Sequence, residues 1–177
     1  MLNELFLSFT LLLQPPTIVS QPIYKNAMFR DTTINYIILH ADQGGNESSV
    51  FSFLRKRKDS YHYYITRSGK IYKWLDPKYK ANHAGVSMWN GTFRMNDKSI
   101  GICLQNKIPQ QYTSEQYKSL VWLILQLYDR FPDSRDLPVL GHSDVAIPRG
   151  RKSDPGKHFN WKLLYINLTG DLTNGRQ

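Results

Sequence analysis

The apolar positions change period several times along the chain, and each change predicts an element. Residues 35–40 carry the unbroken run Tyr36-Ile37-Ile38-Leu39 and end on His40, which predicts a buried strand; Gly44-Gly45-Asn46 then permits a sharp turn. From 47 to 58 the period becomes helical, with Val50, Phe53 and Leu54 on one face and Arg55-Lys56-Arg57-Lys58 at the carboxyl end, where it suits the helix dipole. Residues 61–65 and 70–74 are aromatic and β-branched strands joined through Arg67-Ser68-Gly69 as a hairpin. Ile100-Gly101-Ile102-Cys103-Leu104 is a further strand, with Ile100, Ile102 and Leu104 on one face. Thr113-Ser114-Glu115-Gln116 is a capping box that opens a helix whose apolar stripe runs from Tyr117 through Leu120, Val121, Ile124 and Leu127 to Phe131, before Pro132 ends it. Leu137-Pro138-Val139-Leu140 predicts a strand that delivers His142, and residues 161–165 a short closing helix. Strands that alternate with helices, with at least one hairpin among them, predict an α/β fold: a mixed sheet flanked by helices.

Two regions lie outside this pattern. Residues 75–97 have no period, and a loop of that length in a compact domain is usually functional or disordered. Within it Trp89 is suited to stack on a sugar or peptide face and His83 to hydrogen-bond a substrate amide or carboxylate; the alternative is that both pin the loop to the domain. Residues 5–13 are an apolar core too short to span a bilayer but of signal-peptide length, although no basic residue precedes it and Glu4 is acidic. Residues 1–21 are therefore expected to be a signal peptide or an apolar segment docked on the domain, 22–168 the domain itself, and 169–177 a polar tail. Export to the periplasm or beyond is the expected location, with a cytoplasmic or phage-encoded protein as the alternative. Nothing else in the chain predicts a membrane span.

Composition narrows the picture a little. A chain of 177 residues with 41% hydrophobic content builds one core, and its single cysteine, Cys103, excludes an internal disulfide frame. Cys103 reads as a small buried residue rather than a reactive thiol. A formal charge of +9 favours polyanions, whether nucleic acid, anionic lipid or a carboxylate-bearing wall, and cannot choose among them. The basic run at 55–58 reads most simply as a solvated helix end.

The densest chemistry lies between Gly141 and Gly156. His142 emerges at the end of a strand, and a loop returns with Lys152 and Asp154, two residues apart and so pointing to one side of an extended backbone. A catalytic zinc takes three protein ligands and keeps an open position for water. His40, placed like His142 at a strand exit, supplies the third and gives a His40/His142/Asp154 set. Spacing alone leaves a structural role for either histidine open.

Leu39-His40, Ser60-Tyr61-His62-Tyr63, His83-Ala84-Gly85, Asn96-Asp97-Lys98-Ser99-Ile100-Gly101-Ile102, Gly141-His142-Ser143-Asp144 and Arg151-Lys152-Ser153-Asp154-Pro155-Gly156 with Phe159-Asn160-Trp161 stand in a telling order. Together they resemble the successive motifs of the zinc-dependent N-acetylmuramoyl-L-alanine amidases of the amidase-2 type, relatives of the peptidoglycan recognition proteins and the amidase-type phage lysozymes. The resemblance runs from about residue 34 to residue 165 and rests on all six motifs at once.

That resemblance implies a zinc site in a groove at one edge of the sheet and hydrolysis of the amide between N-acetylmuramic acid and L-alanine in peptidoglycan or muropeptides. It implies Zn2+ held by His40, His142 and Asp154, Tyr61 and Lys152 as catalytic groups, and His83 as a substrate contact; Trp89 and Asn96 are expected as further substrate contacts. Many bacterial members have a glutamate general base where Cys103 stands; the phage lysozyme branch lacks it and uses a tyrosine and a lysine, to which Tyr61 and Lys152 correspond. His62 is expected to be structural. The rival is a catalytically silent peptidoglycan-binding module, against which the complete set of five residues argues. A nucleic-acid partner rests on charge alone, and the expected state is a monomer acting on peptidoglycan or muropeptides, with no nucleic acid and no stable membrane span.

Overall fold

Parallel strands from both halves of the chain lie side by side at the centre of the fold. The computed structural model describes residues 15–24, 27–107, 109–131 and 137–170. In it β2 (Tyr36–Ala41) is flanked by β7 (Ser99–Leu104) and β8 (Val139–Gly141), both parallel to it. β3 (Tyr63–Ile65) runs parallel to β7 and antiparallel to β4 (Ile71–Lys73), and β1 (Ile18–Ser20) adds a parallel edge beside β4. The order β1-β4-β3-β7-β2-β8 makes the mixed sheet that the alternation of elements predicts. β1 was not expected as a strand, since Ile18-Val19-Ser20 reads as part of the amino-terminal segment; its pairing with Ile71, Tyr72 and Lys73 comes from tertiary context. The apolar run at 5–13 and Pro132 lie outside the described residues.

Period two divides each central strand between the two faces of the sheet. Ile37 and Leu39, with Ile100, Ile102 and Leu104, pack under α3 (Ser114–Arg130) and α5 (Trp161–Thr169). The Thr113 capping box forms as read, and the buried stripe of α3 includes Leu120, Ile124 and Leu127. Ile38 and Leu140 face the other way, against Ala84, Met95 and Val145. On that second face α1 (Glu47–Arg57), capped by Asn46, sets Leu54 against Tyr64, Trp74 and Cys103. The basic end of α1 is solvent-exposed, in keeping with its reading as a solvated helix end.

The loop at 75–97 proves to be structured. It holds a two-stranded ribbon, β5 (Met88–Trp89) with β6 (Thr92–Phe93), and leads into the short α2 (Met95–Lys98). Arg30 ties it down: its guanidinium donates to the carbonyls of Pro77, Tyr79, Asp97 and Ser99. Burial lowers the pKa of that guanidinium to about 10, with Asp97 opposing the shift. Arg30 sits in a stretch with no period, so no sequence signal marks it.

Candidate metal centre

Three strand or loop exits meet on the second face of the sheet. β2 presents His40 in the register of Ile38, away from the helical cover, and β8 ends where α4 (His142–Val145) begins, so His142 stands at that junction. The loop after α4 returns Asp154, and the Ser143 amide donates to the Asp154 carbonyl at 2.9 Å. The Tyr112 hydroxyl donates to the carbonyl of Pro155 at 2.7 Å, which fixes the loop from its far side. All three side chains are buried.

Nδ1 of His40 lies 3.1 Å from Nδ1 of His142 and 3.2 Å from Oδ2 of Asp154, and Nδ1 of His142 is 3.1 Å from the same oxygen. The far nitrogens explain the orientation. Nε2 of His142 is 3.1 Å from the Ala84 carbonyl, which can only accept, so that nitrogen carries the proton. Nε2 of His40 is 3.0 Å from Nδ1 of His83. Burial lowers the pKa of His40 to about 4 and holds His83 well below the ordinary histidine range, so both rings are neutral near pH 7.

A neutral imidazole with its proton on Nε2 turns the Nδ1 lone pair inward. Two such lone pairs and a carboxylate oxygen, packed this closely, repel one another unless a cation lies among them. Ligands at about 2.0 to 2.1 Å from a tetrahedral ion stand about 3.3 Å apart, close to the separations found here. The donor set therefore fits a divalent metal bound through two nitrogens and one oxygen, and these three residues are the cluster of that kind among the described residues.

His142 and Asp154 face a groove of about 870 Å³ whose wall also includes Lys152, Ser153, Tyr61, Asn82, and Phe53 and Arg57 of α1. The Tyr61 ring lies 4.9 Å from that of His40, centroid to centroid. Alternation from Tyr63 would turn Tyr61 toward the helices, but the strand begins only at Tyr63 and the chain bends at His62, which frees Tyr61 to face the metal ligands. Burial, reinforced by Cys103 and Asp154, pushes the Tyr61 phenol well above its ordinary pKa. Lys152 is exposed and lines the same groove.

This sequence pattern is that of the N-acetylmuramoyl-L-alanine amidase family, which matches residues 30–157. The chain belongs to that family. The 1,6-anhydro-N-acetylmuramyl-L-alanine amidase AmpD of Enterobacter cloacae is 41% identical over 105 residues, 59% of this chain and 54% of that protein. The chain thus spans about half the length of that relative. A crystal structure of a selenomethionine AmpD derivative superposes with a TM-score of 0.71 at 28% identity, covering 89% of this chain and 96% of the other. The E. coli amidase AmiD, in complex with anhydro-N-acetylmuramic acid-L-Ala-D-γ-Glu-L-Lys, superposes with a TM-score of 0.66 at 27% identity, over 81% of this chain and 60% of the other.

The structure of this amidase-family chain brings the predicted residues together unevenly. His142, Asp154, Tyr61 and Lys152 line one groove, and His40 lies directly behind its wall against His142 and Asp154. His83 and Asn96, expected to contact substrate, also line the groove, while their polar side-chain atoms have partners within the protein. Both ring nitrogens of His83 have protein partners, His40 at 3.0 Å and Ser99 at 3.3 Å. Oδ1 of Asn96 accepts from the amides of His83 at 3.0 Å and Ala84 at 2.7 Å. Trp89 packs, half-buried, against the Ile38 and Ala84 cluster and does not line the groove. His62 is structural as expected: it accepts from the Gly101 amide and donates to the Tyr79 carbonyl, each at 3.0 Å. Among the described residues, no helix is long and apolar enough to cross a membrane.

Proposed function

We propose that this chain is a zinc-dependent amidase that hydrolyses the amide between the lactyl group of N-acetylmuramic acid and the L-alanine of the stem peptide, with anhydro-muropeptides as the first substrates to test. The observation that carries the reading is the inward convergence of His40 Nδ1, His142 Nδ1 and Asp154 Oδ2 at the end of an open groove. The AmpD likeness and the muropeptide bound to AmiD support the substrate class.

His40, His142 and Asp154 would hold the zinc. When bound, such an ion lowers the pKa of water toward neutrality and polarises the amide carbonyl. The chain's own groups then divide the remaining work. The groove seats the peptide across the metal ligands. Lys152, two residues from Asp154 and on the groove wall, donates to the carbonyl oxygen as negative charge develops there. Tyr61 remains protonated because its pKa is raised, so it serves as a hydrogen-bond donor beside His40 and not as a base. The Cys103 thiol is pushed up by burial and by Asp42 and Asp154, so it too stays protonated and holds no nucleophilic thiolate. One chain supplies every one of these groups, which supports action as a monomer.

The test is product analysis by mass spectrometry with zinc-loaded protein and an anhydro-muropeptide. The expected result is addition of one water and release of a peptide with a free L-alanine amino group. An intact substrate that nevertheless binds the protein would favour the silent binding module.

A further inference from the structure

The proton positions around His40 are dictated from a point well behind the site. The Ser99 hydroxyl makes two contacts, the shorter to the Met95 carbonyl and the other, at 3.3 Å, to Nε2 of His83. A carbonyl only accepts, so Ser99 donates its single proton to Met95 and offers a lone pair to His83. His83 must then carry its proton on Nε2, which leaves Nδ1 as an acceptor for His40 Nε2–H at 3.0 Å. That in turn leaves the His40 Nδ1 lone pair facing His142 and Asp154. Reversing any one link would place a proton on His40 Nδ1, between it and the other two metal-ligand atoms.

The backbone is shaped to hold this chain of hydrogen bonds. A Cβ built on Gly101 would stand 2.6 Å from Cγ of His83, so the imidazole can lie on β7 only because residue 101 has no side chain. The amides of His83 and Ala84 both donate to Asn96, which fixes where the ring leaves the loop. Arg30 donates to the Ser99 carbonyl at 3.0 Å and so anchors the far end.

We infer that His83 and Ser99 are positioning residues, a relay that locks the tautomer of His40 and thereby sets the metal affinity of the site. The inference rests on the proposed zinc site but not on the identity of the substrate. Outer partners of this kind typically tune metal affinity by about 10- to 100-fold.

The experiment is zinc competition against a chromogenic chelator, paired with thermal unfolding of the metal-free proteins. His83→Phe keeps a ring of similar breadth but no acceptor, and it should weaken zinc binding by about 10- to 100-fold. Ser99→Ala should weaken it in the same direction. His83→Asn places an oxygen near the former Nδ1 and should recover most of the affinity. Gly101→Ala, which displaces the ring without altering it, should behave like His83→Phe. Equal zinc affinity in wild type and in folded His83→Phe would overturn the relay. Loss of affinity in proportion to metal-free stability, without recovery in His83→Asn, would also overturn it, because it would make the role purely structural. Failure of the wild type to bind zinc at all would instead sink the proposed function.

Discussion

His40 and Cys103 stand opposite each other in register on the parallel strands β2 and β7, and both side chains lie on the groove side of the sheet. A thiol therefore sits next to one of the three proposed metal ligands. Burial, with Asp42 and Asp154 nearby, keeps it protonated.

Cys103→Ala is accordingly expected to leave hydrolysis within a few-fold of wild type. Steady-state rates on an anhydro-muropeptide check this. A drop of about 10²-fold or more, the range of a lost general base, would assign the thiol a chemical role.

Lys152 behaves differently because it is exposed and lines the groove without holding the fold. Lys152→Ala should lower kcat by about 10²- to 10³-fold while leaving zinc content and thermal stability unchanged. An effect confined to KM would reassign it to ground-state binding of the substrate's carboxylates.

Arg30 supports the loop that carries His83 and Asn96. Its substitution by alanine removes the guanidinium donor from the carbonyls of Pro77 and Ser99, while Tyr79 keeps His62 and Asp97 keeps Thr32 as donors. Arg30→Ala should cost roughly 3 kcal/mol or more in urea unfolding, since each unsatisfied buried acceptor costs about 1 to 3 kcal/mol. Arg30→Lys should recover little of this, because an ammonium has three donors and no planar fork.

Acid should destabilise the metal-free protein earlier than ordinary carboxylates would explain. Burial lowers His62 from 6.5 to about 3, so the folded state binds fewer protons than the unfolded state throughout that interval. Its contribution is fully present above pH 6.5 and is lost as pH falls toward 3. His40, lowered to about 4, acts with the same sign. Unfolding temperatures taken in chelator should fall below about pH 6.5; a flat profile down to pH 4.5 would contradict buried neutral imidazoles.

The convergence of the three proposed metal ligands was partly legible from sequence, because each stands at a locally marked strand exit or turn. His40 and His142 follow apolar strand runs, and Asp154 stands between Lys152 and a Pro-Gly turn. Tyr61 was legible only through family resemblance, since strict alternation would have sent it to the opposite face; the bend at His62 is a tertiary effect. The role of Ser99 was hidden by its position as the first residue of an apolar strand, and that of Arg30 by an aperiodic approach segment. His83 was expected to contact substrate, and in the structure it lines the groove, but its partners depend on Gly101 and Asn96, which no local pattern connects to it. Residues 75–97 read as loop because a ribbon of two-residue strands is too short to show a period.

The most direct test of the central claim is zinc K-edge X-ray absorption on the reconstituted protein. Two imidazole nitrogens at about 2.0 to 2.1 Å and carboxylate or water oxygen at about 2.0 to 2.2 Å, in four-coordination, are predicted, with one imidazole lost in His142→Ala. A first shell of oxygens alone, or a spectrum unchanged in His142→Ala, would show that the metal binds elsewhere and contradict the assignment.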